Sequence, residues 1–328
     1  MRSSFLVPRI AAALTALPLA VGGCARASTD PPPHVSPPPR ASVAYRTAKI
    51  DGLSIFYREA GRRDAPTILL LHGFPSSSHM FRDLIPELAD DFHLVAPDYP
   101  GFGNSDAPSP DRFAYTFDHL ADVMERFVAE LGLTRYALYA QDFGGPVGFR
   151  LATRHPERVS ALIIQNANAY REGLSPMAED LLRPLWEHRT PEVEAKVLAL
   201  FRREGTIAQY RTGARAPEAM NPDAWNMDQA LLDRPGNDRI QLELQADYVT
   251  NLARYPEWQA YFAKHQPPTL VVWGKGDPIF TVEGAKAYAR HLRTVELHLL
   301  DTGHFALEED HAAIASHVRR FFRDENVR

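Results

Sequence analysis

The chain has 328 residues, 45% of them apolar and 23% charged, the balance of a soluble globular protein, which excludes a disordered chain, a coiled coil and a multi-span membrane protein. With 36 Lys and Arg against 41 Asp and Glu the net charge is −5, so the electrostatic footprint of a nucleic-acid binder is absent. The one cysteine, Cys24, excludes an intrachain disulfide framework and any thiolate metal cluster.

The first segment carries Arg2 and Arg9, then a mostly apolar run from Ile10 to Val21. That run is too short to span a bilayer and has the length of a signal-peptide core. Val21-Gly22-Gly23-Cys24 follows and resembles a bacterial lipobox, in which the cysteine is lipidated. Ala25-Arg26-Ala27 offers an ordinary cleavage site instead. Residues 1–27 therefore read as an export signal, and Cys24 as a lipidation candidate that would attach the protein to the bacterial envelope. Residues 28–41 contain six prolines between Pro31 and Pro39 and read as a stiff, extended linker.

From Ser42 onward, short apolar runs alternate with helical periodicity. Val43 to Ile50 and Leu53 to Ala60 predict two strands around an Asp51-Gly52 turn. Pro66 to Leu71 and Phe92 to Pro97 predict strands buried on both faces. Met80 to Leu88 and Phe117 to Leu131 predict helices. Further strands are expected at Tyr136 to Ala140, Leu162 to Gln165, Thr269 to Trp273 and Val295 to Leu300, with a last helix from Ile314 to Phe322. This alternation implies an α/β fold with a mostly parallel, twisted sheet covered by helices on both faces. Residues 170–266 break the rhythm and read as a helical cap inserted after the sixth strand. They divide a core formed by 42–169 and 267–328.

Three short motifs carry chemistry. Ala140-Gln141-Asp142-Phe143-Gly144-Gly145 closes a strand and opens a helix, the layout of a nucleophile elbow with Asp142 at its tip. A helix N-terminus behind it favours an anion, although Asp also suits a plain helix cap. No G-x-S-x-G is present, which argues against a serine esterase. His72-Gly73-Phe74-Pro75 follows a buried strand and can supply the Phe74 N–H to an oxyanion hole, with the Phe143 N–H as the second donor. Asp277 follows a strand in a Gly-Asp-Pro loop, and His304 lies 27 residues later in a Gly-His pair. Nucleophile, acid and base thus stand in that order along the chain. His72, Asp98 and Ser105 read as loop scaffolding.

These motifs, with Asp98-Tyr99-Pro100-Gly101-Phe102-Gly103-Asn104-Ser105, resemble the capped α/β-hydrolase superfamily. An Asp at the elbow resembles its epoxide hydrolases and haloalkane dehalogenases. The resemblance implies that Asp142 attacks a saturated carbon to form an alkyl ester. His304, oriented by Asp277, would then activate water to hydrolyse it. No metal or organic cofactor is needed for that route.

The leaving group distinguishes the two activities. Halide needs N–H donors, whereas an opened epoxide needs an acidic O–H. The dehalogenases usually carry Trp after the nucleophile; Phe143 stands here instead, and Phe74 stands where a second donor is often Asn. Tyr248, 29 residues before Asp277, falls about where an epoxide hydrolase has a cap tyrosine. Trp186 occupies the early cap, where the other tyrosine is expected; Tyr170 or Tyr210 could supply the missing hydroxyl. The expectation is a hydrolase opening small apolar epoxides, with haloalkane dehalogenation the alternative and non-catalytic binding on the same fold a third reading. The expected partner is a small apolar substrate, with possible membrane attachment only through Cys24.

Overall fold

The computed structural model describes residues 42–327. The export signal, Cys24 and the proline-rich linker lie outside the described residues. No helix among the described residues is long and apolar enough to cross a membrane.

The chain opens with β1 (Ala44–Ile50) and β2 (Leu53–Ala60), an antiparallel hairpin whose turn residues Asp51 and Gly52 both have positive φ. Then come β3 (Thr67–Leu71), α1 (Leu84–Leu88), β4 (His93–Pro97), α2 (Phe117–Glu130), β5 (Tyr136–Gln141), α3 (Gly144–Arg154) and β6 (Val159–Gln165). Five helices follow: α4 (Pro176–Glu187), α5 (Pro191–Leu198), α6 (Arg203–Arg211), α7 (Asp223–Leu232) and α8 (Asn237–His265). The chain closes with β7 (Thr269–Gly274), α9 (Val282–Ala287), β8 (Val295–Leu300) and α10 (Leu307–Asp324). One eight-stranded sheet results, in the order β1-β2-β4-β3-β5-β6-β7-β8, parallel from β4 to β8.

The pleat sorts each central strand into two cores. Leu69, Leu71, Leu138 and Ile164 face α2 and α3, whereas Ile68, Leu70, Tyr139 and Ile163 face α1 and α10. Alternate side chains of one strand thus enter opposite apolar layers, which is why β3 reads as an unbroken apolar run. One expected helix is divided: Met80 to Leu88 splits into a 3-10 turn, Ser78–Phe81, and the short α1. Pro86 cannot donate to a carbonyl one turn back, so it is tolerated only in the first turn of a helix.

The strand-to-helix turn between β5 and α3 depends on close approach. A Cβ on Gly144 would lie 2.1 Å from the Leu71 carbonyl oxygen of β3. Gly144→Ala is expected to destabilise the fold by about 3 kcal/mol, read as a lower urea midpoint.

Candidate active site

Parallel α/β sheets present their functional loops at the carboxyl ends of the strands. Asp142 follows β5 with φ 49°, a left-handed backbone that non-glycine residues seldom adopt. The turn holds its carboxylate in a buried position, 6% exposed. Asp142 Oδ1 accepts a 2.7 Å hydrogen bond from the Phe74 N–H, and the carboxylate also accepts from the Phe143 N–H. Both predicted oxyanion donors therefore reach the Asp142 carboxylate. The other oxygen, Oδ2, stands 4.0 Å from His304 Nε2. Burial raises the Asp142 carboxyl above its ordinary value, with His304 and the two N–H groups opposing that rise.

His304 is fully buried, and its Nδ1 lies 2.8 Å from Asp277 Oδ2. Asp277 is itself held from three sides. Its Oδ1 accepts from the backbone N–H groups of Ile279, at 2.7 Å, and Phe280, at 3.2 Å; Oδ2 also accepts from Asn166 Nδ2 at 2.7 Å. Burial pulls the His304 pKa down, but Asp277 and Asp142 overcome it and leave the ring more basic than an ordinary histidine. The three residues singled out by motif thus meet at the ends of β5 and β7 and after β8.

The scaffolding residues also sit as expected. His72 Nε2 accepts from the Tyr99 N–H at 3.2 Å, and burial drives its pKa to about 3. A neutral ring thereby ties the loop after β3 to the loop after β4. Asp98 accepts from the Ser78 and Asn104 N–H groups, and Ser105 Oγ donates to the Asp98 carbonyl.

A cavity of about 220 Å³ opens above Asp142. Phe74 and Phe143 lie at its base, Leu174, Leu182 and Leu200 are among its apolar walls, and Tyr248 and Gln245 reach it from α8. Tyr248 is buried and its ring centroid is 6.2 Å from that of Phe143. Its hydroxyl shares a hydrogen bond with Tyr255, whose oxygen accepts from Asn168 Nδ2 at 3.1 Å. Burial, then Tyr255 and Asp142, raise the Tyr248 pKa well above the ordinary phenol value, so it remains a protonated donor.

Trp186 is a correction to the sequence reading. Its indole stacks on Tyr248, with ring centroids 6.2 Å apart, but does not line the cavity. Its N–H donates to the Gln245 carbonyl at 3.0 Å, which leaves no donor for a leaving group. The two reserve tyrosines are engaged elsewhere as well. The Tyr210 hydroxyl donates to Asp228, and the Tyr170 hydroxyl lies 3.2 Å from His291 Nδ1.

Two neighbours carry no motif. Gln141 Nε2 is 3.0 Å from His304 Nε2. Asn166 follows β6 in a left-handed conformation, φ 43°. Its side chain binds Asp277 and both the N–H and C=O of Gly274, so it fixes the acid to the end of β7. The only sequence signal for either residue is an amide side chain at the carboxyl end of a central strand. The segment after α6 braces these loops too. A Cβ on Gly213 would fall 1.7 Å from the Gly276 carbonyl oxygen, and one on Gly303 would fall 2.7 Å from that of Thr212.

Comparison with known proteins matches residues 66–311 to the family described as alpha/beta hydrolase fold. An uncharacterized hydrolase of Saccharomyces cerevisiae is 42% identical over 277 residues, 84% of this chain and 95% of that protein. A haloalkane dehalogenase of Bradyrhizobium diazoefficiens is 30% identical over 303 residues, 82% of this chain and 91% of that protein. The solved structure of haloalkane dehalogenase DbeA from Bradyrhizobium elkani superposes with a TM-score of 0.70 at 25% identity, covering 86% of this chain and 98% of that one.

Proposed function

Because the chain belongs to the alpha/beta hydrolase fold family and is a hydrolase of the dehalogenase and epoxide hydrolase kind, we propose that it opens small apolar epoxides through an ester on Asp142. The observation that carries the epoxide reading is the donor set above Asp142. Phe74 and Phe143 have apolar side chains and the Trp186 N–H is occupied, whereas Tyr248 lines the cavity beside Gln245 and carries an acidic O–H, hydrogen-bonded to Tyr255, that can turn to a ligand. An opening epoxide needs a proton on oxygen, and a phenol can give one. The alkoxide is about as basic as hydroxide and far more basic than a phenolate, so even a weakened phenol transfers its proton.

In this reading Asp142 Oδ2 attacks an epoxide carbon, the C–O bond breaks and Tyr248 protonates the released oxygen. His304 Nε2 then takes a proton from water while the water oxygen bonds to Asp142 Cγ. The negative charge develops on Oδ1, where the Phe74 N–H already points, with the Phe143 N–H also on this carboxyl group. Collapse breaks the Cγ–Oδ2 bond; Oδ2 leaves on the diol with the proton from His304, and the water oxygen stays in the Asp142 carboxyl. The carboxylic acid left on Asp142 returns its proton to Tyr248, so epoxide plus water gives diol with no net proton change. A cavity of about 220 Å³ is below the range of drug-sized sites, which supports a small substrate.

The test is product analysis with a panel of short epoxides and a panel of bromoalkanes. Diol formation without bromide release is expected. Tyr248→Phe is expected to lower epoxide kcat/KM by about 100-fold or more. Dehalogenation is the second reading, favoured by the name of the Bradyrhizobium relative. Bromide release that survives Tyr248→Phe, with no diol from any epoxide, selects it.

A further inference from the structure

The end of β5 carries two adjacent polar side chains, and the scheme above uses only Asp142. Gln141 is fully buried. One end of its carboxamide reaches His304 Nε2 at 3.0 Å. The other end, Oε1, is buried and has no hydrogen-bond partner. A buried acceptor left unpaired costs about 1–3 kcal/mol, a cost that an apolar side chain would avoid.

The surroundings of His304 make this contact selective. Two charged groups face the ring, Asp277 from the loop after β7 and Asp142 from the end of β5. Phe280 and Phe305 cover it with aromatic faces, their ring centroids 5.8 Å and 5.1 Å away. Both carboxylates favour the imidazolium, which cannot act as a base. Gln141 is neutral and bears on the base nitrogen itself. An amide N–H can donate only to the lone pair of an unprotonated nitrogen, and an amide C=O can accept only from a protonated one.

We propose that Gln141 is a positioning residue for the hydrolysis step, donating to Nε2 while His304 is the base and, turned over, accepting from Nε2 once His304 has taken the proton from water. The proposal rests on Asp142 as nucleophile and His304 as base. The proton moves from water to Nε2 and later to the departing alkoxide, and the water oxygen bonds to Asp142 Cγ. Gln141 forms and breaks no covalent bond. Its rotation gives the unpartnered Oε1 a donor at the moment the ring becomes charged.

The test follows ester formation and ester decay separately, by quenched-flow and intact-protein mass, across pH. In Gln141→Met the ester still forms, and its decay at neutral pH is expected to slow about tenfold. The acid limb of decay moves down by up to about one pH unit, because the charged ring loses a charge-assisted acceptor and the neutral ring only a weaker donor. Gln141→Glu fixes a charged acceptor beside Nε2, so the limb moves up instead. A residue needed only for packing would not order the three proteins this way. Decay with unchanged rate and unchanged pH limb in both variants overturns the proposal. Should either variant fail to fold, nitrogen-15 NMR of the unaltered protein decides instead. A Gln141 side-chain amide signal that shifts with the His304 titration supports the proposal, and one that does not move overturns it. If no ester forms even in His304→Gln, the nucleophile reading fails, which is a separate result.

Discussion

Asp142→Asn is expected to lower kcat/KM by about 10,000-fold or more while leaving the fold intact. The amide keeps the size of the carboxylate, and its oxygen can still accept from the Phe74 and Phe143 N–H groups. What it loses is the anionic charge of a carboxylate that lines the cavity. No neighbouring group can replace it, because Asp277 is held by His304, Asn166 and two backbone N–H groups. The measurement is steady-state turnover of the best epoxide, paired with a thermal melt. Residual activity within tenfold of the unaltered enzyme would mean that Asp142 is not the nucleophile.

The second large effect separates the two half-reactions. His304→Gln removes the proposed base but not the proposed nucleophile, so the ester on Asp142 should form and persist, with turnover again lowered about 10,000-fold. Intact-protein mass then reads the substrate directly. Addition of the whole epoxide marks ring opening; addition of an alkyl group with bromide released marks dehalogenation. Either adduct should vanish when Asp142→Asn is combined with His304→Gln. In the proposed scheme, hydrolysis by the unaltered enzyme requires neutral His304. Burial lowers its pKa, yet Asp277 and Asp142 carry it above the ordinary histidine value. The hydrolysis rate should therefore fall as pH falls through a midpoint above about 6.5. A midpoint below that value would mean that the two carboxylates do not govern the base.

The fold could be read from the chain because its central strands are buried on both faces and leave continuous apolar runs. The runs of β3, β4 and β7 are of this kind. The start of β6 was less legible, since Ser160 interrupts its apolar pattern near Val159. Asp142, Asp277 and His304 could be singled out because each follows a strand in a loop with glycine or proline beside it, and that order has a chemical meaning. Gln141 and Asn166 have no such signature. Their part in the site depends on where an amide points, which sequence spacing does not encode. Trp186 illustrates the same limit from the other side. An indole N–H can be read from the sequence, but its acceptor, a helix carbonyl 59 positions away, cannot.

The near contact of Gly213 with Gly276, and of Gly303 with the Thr212 carbonyl, bears on how this protein can diverge. The first-named acid and base loops are pinned by backbone against backbone, so a side chain at any of these three glycines would wedge them apart. The apolar residues of α4 and the segment before α6 carry no such restriction, and several can change size without touching Asp277 or His304. Inherited variation should therefore accumulate in the roof of the cavity and stay sparse along the seam. Substrate range is free to drift between lineages while the reaction beneath it stays fixed.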